Sequence, residues 1–128
     1  MKSTLYPTLA ETLELHKRLI DRFGGSLGIR DRGLIESALA RPQSGYYNSL
    51  SEQAAALLQS LALNHAFVDG NKRVAFTLSA VFLRMNGYRL IVETDNGEDF
   101  IVNQVIGAKA NLEKITMWLE LHMHKVDG

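Results

Sequence analysis

The sequence has no cysteine, which fits a reducing cytosol and leaves folding to the apolar core alone. It has no excess charge of either sign: 14 Lys and Arg balance 14 Asp and Glu. With no basic stripe, nucleic acid is excluded as a direct partner. Long apolar runs are also absent. The most apolar stretch, Val74 to Leu83, carries Thr77 and Ser79 and falls well short of the ~20 residues needed to cross a bilayer. Met1 to Pro7 has no apolar core of a secretory leader. No repeat, low-complexity tract or linker divides the chain, so one soluble, cytoplasmic domain over residues 1–128 is expected. An apolar share of 46% is enough to build its core without metals or disulfides.

What the chain does have is concentrated in His65-Ala66-Phe67-Val68-Asp69-Gly70-Asn71-Lys72-Arg73. Apolar helical patterning lies on both sides, and Gly70 interrupts it. Helix, tight loop, helix is the expected order, with Asn71 opening the second helix. Lys72 and Arg73 then stand in a first turn, where the helix dipole disfavours cations. Unpaired N–H groups and two cations at one point make an anion site, with phosphate the expected anion. No GxxxxGK[ST] is present, so the cradle is not a P-loop.

Asp69 can cap the second helix through the N–H of Asn71 or Lys72, or hold a magnesium ion that bridges phosphates. His65, about one turn earlier at the end of the first helix, is placed to act as a general base. Each residue alone has a bland reading: a dipole partner, a cap, a solvated pair of cations. Together, at this spacing, they point to phosphoryl or nucleotidyl transfer, and Phe67 is expected to pack beneath the loop.

Elsewhere the pattern predicts helices over Thr8–Phe23, Gly33–Ala40, Ser51–Ala66, Asn71–Asn86, Glu98–Ala110 and Asn111–Lys125. Asp31 is expected as an N-cap, Ser49 with Glu52 as a capping box, and Pro42 as a stop. Residues 88–92 have strand character. His16 is read as a partly buried structural histidine, Arg30-Asp31-Arg32 as a surface ion-pair cluster, and Tyr46-Tyr47 as loop aromatics tucked into the core. His122 and His124 do not share a helix face, which argues against a metal site.

The 65–73 stretch resembles the HxFx[DE]GNGRxxR motif of the Fic/Doc superfamily, in the form found in its death-on-curing (Doc) branch. It matches at His65, Phe67, Asp69, Gly70, Asn71 and Arg73, and departs at Lys72 and Phe76 in the manner of Doc. The likeness continues through Leu15-His16, Gly24-Gly25, Gly28 to Asp31 and Glu36 to Gln43. It implies an all-α bundle of about six helices, with at most a minor extended segment near 88–92. It further implies a toxin that uses ATP and Mg2+ to phosphorylate a protein hydroxyl, a threonine of elongation factor Tu, and so arrests translation. The implied roles are His65, Asp69, Lys72 and Arg73 in catalysis, Gly70, Asn71, Lys72 and Arg73 at the nucleotide, and Asp69 at the metal. AMP transfer and a silent binding module are the alternatives. A [ST]xxxE[GN] inhibitory pattern is only approached by Thr94 to Glu98, so restraint is expected from a cognate antitoxin protein.

Overall fold

Helix starts follow their capping residues in the computed structural model, which describes residues 3–126. Thr8 accepts from the Glu11 amide while Glu11 accepts from the Thr8 amide, a reciprocal box that opens α1 (Leu9–Phe23). Asp31 caps α2 (Arg32–Ala40) through the Leu34 N–H. Pro42 follows the end of α2 at Ala40, as expected. It sits in a 3-10 turn, Arg41–Gln43, where its missing N–H costs little. Ser49 caps α3 (Leu50–Leu63), but Glu52 takes the Ser49 hydroxyl instead of its amide, so the expected box is half formed.

Three expected boundaries move. α3 ends at Leu63 and not Ala66, because the Asn64 side chain accepts from the Ala66 N–H at 3.2 Å and donates to the Leu34 carbonyl at 3.0 Å. That competition for backbone groups ends the helix. Further on, the helix expected from Glu98 starts at Thr94 as α5 (Thr94–Phe100) and widens into a π-helix, Ile101–Gly107. The last helix, α6 (Leu112–His122), is capped by Asn111 and stops three residues before Lys125. Those residues form β2 (Met123–Lys125), antiparallel to β1 (Tyr88–Leu90), with Tyr88 opposite Lys125 and Leu90 opposite Met123. The strand character near 88–92 thus finds a partner that helical periodicity had concealed.

α3 and α4 (Asn71–Met85) form the central pair. Ala54, Ala55, Ala62 and Ala75 keep the two backbones close, and Leu57, Leu58, Leu61, Leu78 and Phe82 fill the layer between them. Ile115 and Leu119 of α6 close one side, with Ile101 and Val105 of the π-helix. Each large aliphatic residue so buried contributes roughly 1.5–3 kcal/mol before entropy is counted. The result is an all-α bundle of six α-helices with one two-stranded ribbon. Among the described residues, no helix is long and apolar enough to cross a membrane. The loop between α3 and α4, residues 64–70, is therefore mounted on the two most deeply buried helices.

Candidate active site

Gly70 has φ +80 and is the N-cap of α4; a residue with a side chain is strained there, which is why this loop turns on glycine. Having no side chain, it leaves the first-turn N–H groups of α4 facing a cleft of about 500 Å³. His65, Asp69, Gly70, Asn71, Lys72 and Arg73 line it, together with Phe23, Glu98, Val102 and Ile106. The six residues singled out in the sequence do converge on one cleft. Their individual contacts differ from expectation in several places.

Asp69 caps nothing on α4. Its Oδ1 accepts from the Gly70 amide at 2.8 Å and its Oδ2 from the Ser26 amide at 3.0 Å. The Ser26 bond, then the Gly70 bond, hold its carboxyl below the ordinary carboxylate value, helped by the charges of His16 and Lys72 against a small opposing effect of burial. The carboxylate is exposed, ionised and keeps a lone pair on each oxygen. It therefore fits a magnesium ion, which takes one or two carboxylates and completes its shell with phosphate and water. Gly25 permits this approach: at φ +117, a Cβ there would lie 2.7 Å from Asp69 Oδ2.

Asn71 turns its side chain inward. Its Oδ1 accepts from the Phe67 N–H at 3.0 Å and its Nδ2 donates to the Phe67 carbonyl at 2.9 Å, tying the loop shut. The side chain is thereby committed to the loop, while its backbone N–H has no partner among the described residues. Arg73 is occupied as well, with Nη1 3.0 Å from Glu98 Oε1 and its guanidinium 4.0 Å above the Phe23 ring. Lys72 makes no ion pair among the described residues and is exposed. Phe67 is buried beneath the loop, as its spacing suggests. Phe76 packs against α5 at Gly97, where a Cβ would collide with the ring.

Several neighbours of the loop were not singled out for it. His16 lies under it, its ring stacked on Phe67 at 4.0 Å and its Nε2 donating to the Asp69 carbonyl at 2.9 Å. The α1–α2 linker runs alongside: Val68 donates to the Gly28 carbonyl, and Arg30 and Asp31 both donate to Ala66. The Arg30 side chain is no member of an ion-pair cluster, because its guanidinium bonds the His65 and Asn64 carbonyls. Arg32 pairs with Glu36 instead. Tyr46 is exposed, and only Tyr47 is anchored, accepting from Arg41 Nε. His122 donates to the Trp118 carbonyl through Nδ1. The one available signal for these supports was the sequence likeness at Leu15-His16, Gly24-Gly25 and Gly28 to Asp31; periodicity carries none.

A helical bundle whose α3–α4 loop brings a histidine, a carboxylate and two cations to the start of a buried helix, at the edge of a cleft, defines a class of small α-helical proteins. Within it, the chain belongs to the Fic/DOC family, whose model matches residues 6–83. It is 46% identical over 100 residues to a protein of Mycolicibacterium smegmatis named Toxin Doc, covering 73% of this chain and 76% of that one. It is 36% identical over 84 residues to the Protein kinase doc of Escherichia phage P1, covering 62% of this chain and 67% of the phage protein.

Proposed function

We propose that this chain is a Doc-type protein kinase and the toxin of a toxin–antitoxin pair. The reading is carried by one observation: His65, Asp69, Lys72 and Arg73 meet at the N-terminus of α4 in a single cleft. Relatives named Toxin Doc and Protein kinase doc support it. The backbone N–H groups of Asn71 and Lys72 would receive the phosphates of ATP beside Gly70, with Lys72 and Arg73 neutralising their charge. Asp69 would hold Mg2+, which when bound spreads the developing charge of the phosphoryl group. His65 would take the proton of the acceptor hydroxyl as its oxygen bonds to the γ-phosphorus and ADP leaves. No serine or cysteine nucleophile occurs in the loop, which favours direct transfer.

The acceptor in this reading is a threonine of elongation factor Tu, the consequence is arrested translation, and the compartment is the cytoplasm. A cognate antitoxin restrains the whole chain, which acts as one domain. Purified protein, free of antitoxin, would be added to bacterial extract with ATP labelled at the γ- or the α-phosphate. Label should pass from the γ-position alone to one band, and not with His65→Ala. Label from the α-position would mean AMP transfer. No label from either would leave a binding module.

A further inference from the structure

His65 is one of two non-glycine described residues with positive φ, at +52. A side-chain-bearing residue stays in that sparsely populated region only when its surroundings over-determine it. Among the described residues its imidazole makes no hydrogen bond. No hydrogen bond therefore aims the ring, and the backbone that carries it sets the direction of its Cβ. The loop offers three successive carbonyls at this point, those of Asn64, His65 and Ala66, at the negative end of α3.

All three are met from the start of α2. Arg30 Nε donates to the His65 carbonyl and Nη2 to the Asn64 carbonyl at 3.0 Å. The Arg30 and Asp31 amides donate to the Ala66 carbonyl at 2.8 and 2.9 Å. Without the guanidinium, the carbonyls of Asn64 and His65 would have no partner in the linker, leaving the Asn64 side chain and the bonds to the Ala66 carbonyl as the remaining opposition to the helical continuation that periodicity favours. That continuation would bring His65 to negative φ and swing its Cβ away from the present direction.

We propose that Arg30 is the positioning residue of His65: its guanidinium holds the histidine backbone left-handed and thereby points the imidazole into the cleft. This rests on the reading of His65 as the base. Arg30 touches neither nucleotide nor acceptor in this assignment. A planar fork bridges two adjacent carbonyls where an ammonium meets one, so lysine should substitute only in part.

The test uses the full chain as wild type, R30M, R30K and, as control, R32M, whose native partner Glu36 lies on α2. The φ of His65 is read from its HN–Hα coupling and Cα shift in labelled protein. Steady-state γ-phosphate transfer is measured across pH. In R30M the His65 signals should move to helical values and kcat should fall ~10–100-fold, with KM for ATP nearly unchanged. R30K should fall between, and R32M should match wild type. A left-handed His65 in R30M, or a shifted His65 with undiminished kcat, overturns the proposal. If R30M does not fold, R30K decides by the same two readings. If wild type transfers no phosphate, the functional reading fails by itself, and a His65 coupling unchanged between wild type and R30M still refutes the clamp.

Discussion

Replacing Asn71 by alanine separates two roles for one side chain. If the amide ties the loop, N71A strands the Phe67 N–H and C=O, which otherwise meet it at 3.0 and 2.9 Å. Each unpaired buried backbone group costs about 1–3 kcal/mol. Because Asn71 is only partly buried and water can enter, we expect a total of roughly 2–4 kcal/mol. For a chain of 128 residues that lowers the melting temperature by roughly 6–15 °C. N71D adds a second test. Its carboxylate still accepts from Phe67 N–H but repels the Phe67 carbonyl, and on protonation it regains a donor. The deficit of N71D against wild type should therefore shrink as pH falls. Differential scanning calorimetry at several pH values measures both variants. An N71A protein that melts within about 2 °C of wild type and loses only nucleotide affinity would refute the tie and make the amide a ligand.

Glu98→Gln should free Arg73. The pair is one-third exposed on each side, so it is worth no more than about 1 kcal/mol, and nucleotide affinity should rise about 2–5-fold by calorimetric titration. An unchanged affinity would mean that Arg73 does not face the nucleotide. Asp69, with its carboxyl held below the ordinary value mainly by the Ser26 amide, stabilises the loop fully above ~3.9, and that contribution fades as pH drops through its lowered value. The Ser26 amide resonance should follow that titration in wild type and stay flat in D69N. A flat wild-type resonance would remove the latch. Gly97→Val should drive a side chain into the Phe76 ring and destabilise the protein by about 1–3 kcal/mol in urea unfolding; no loss would show that α5 can move aside freely. Thr8→Ala should cost about 1 kcal/mol through the lost box at α1, by the same measurement.

Features written in adjacent residues were legible from the sequence. Asp31, Ser49 and Asn111 announced their helices because a cap needs only a side chain and an amide three residues on. Gly70 announced the break, and the site residues shared one short loop. What escaped has partners far along the chain. Asp69 bonds Ser26, Arg73 pairs with Glu98, and His65 is met by Arg30, none of which leaves a trace in periodicity. The strand of Met123–Lys125 continues a helical pattern and becomes extended only because Tyr88–Leu90 is there to receive it. The π-helix is likewise invisible, since one added residue per turn leaves the apolar spacing of Ile101 and Val105 nearly unchanged.

The linker beside the loop is held through Ser26 N–H, Gly28 C=O, and the amides of Arg30 and Asp31, groups that every amino acid but proline possesses. The side chains of Ser26, Leu27 and Ile29 are exposed at the same edge. Residue identity at these three positions is thereby uncoupled from the geometry of the loop. A lineage, or a library, can rewrite what this edge displays to a passing protein while the machinery beneath it keeps its shape. Variation should be tolerated at 26, 27 and 29 and punished at Gly25 and Arg30, although all five lie within a single short stretch.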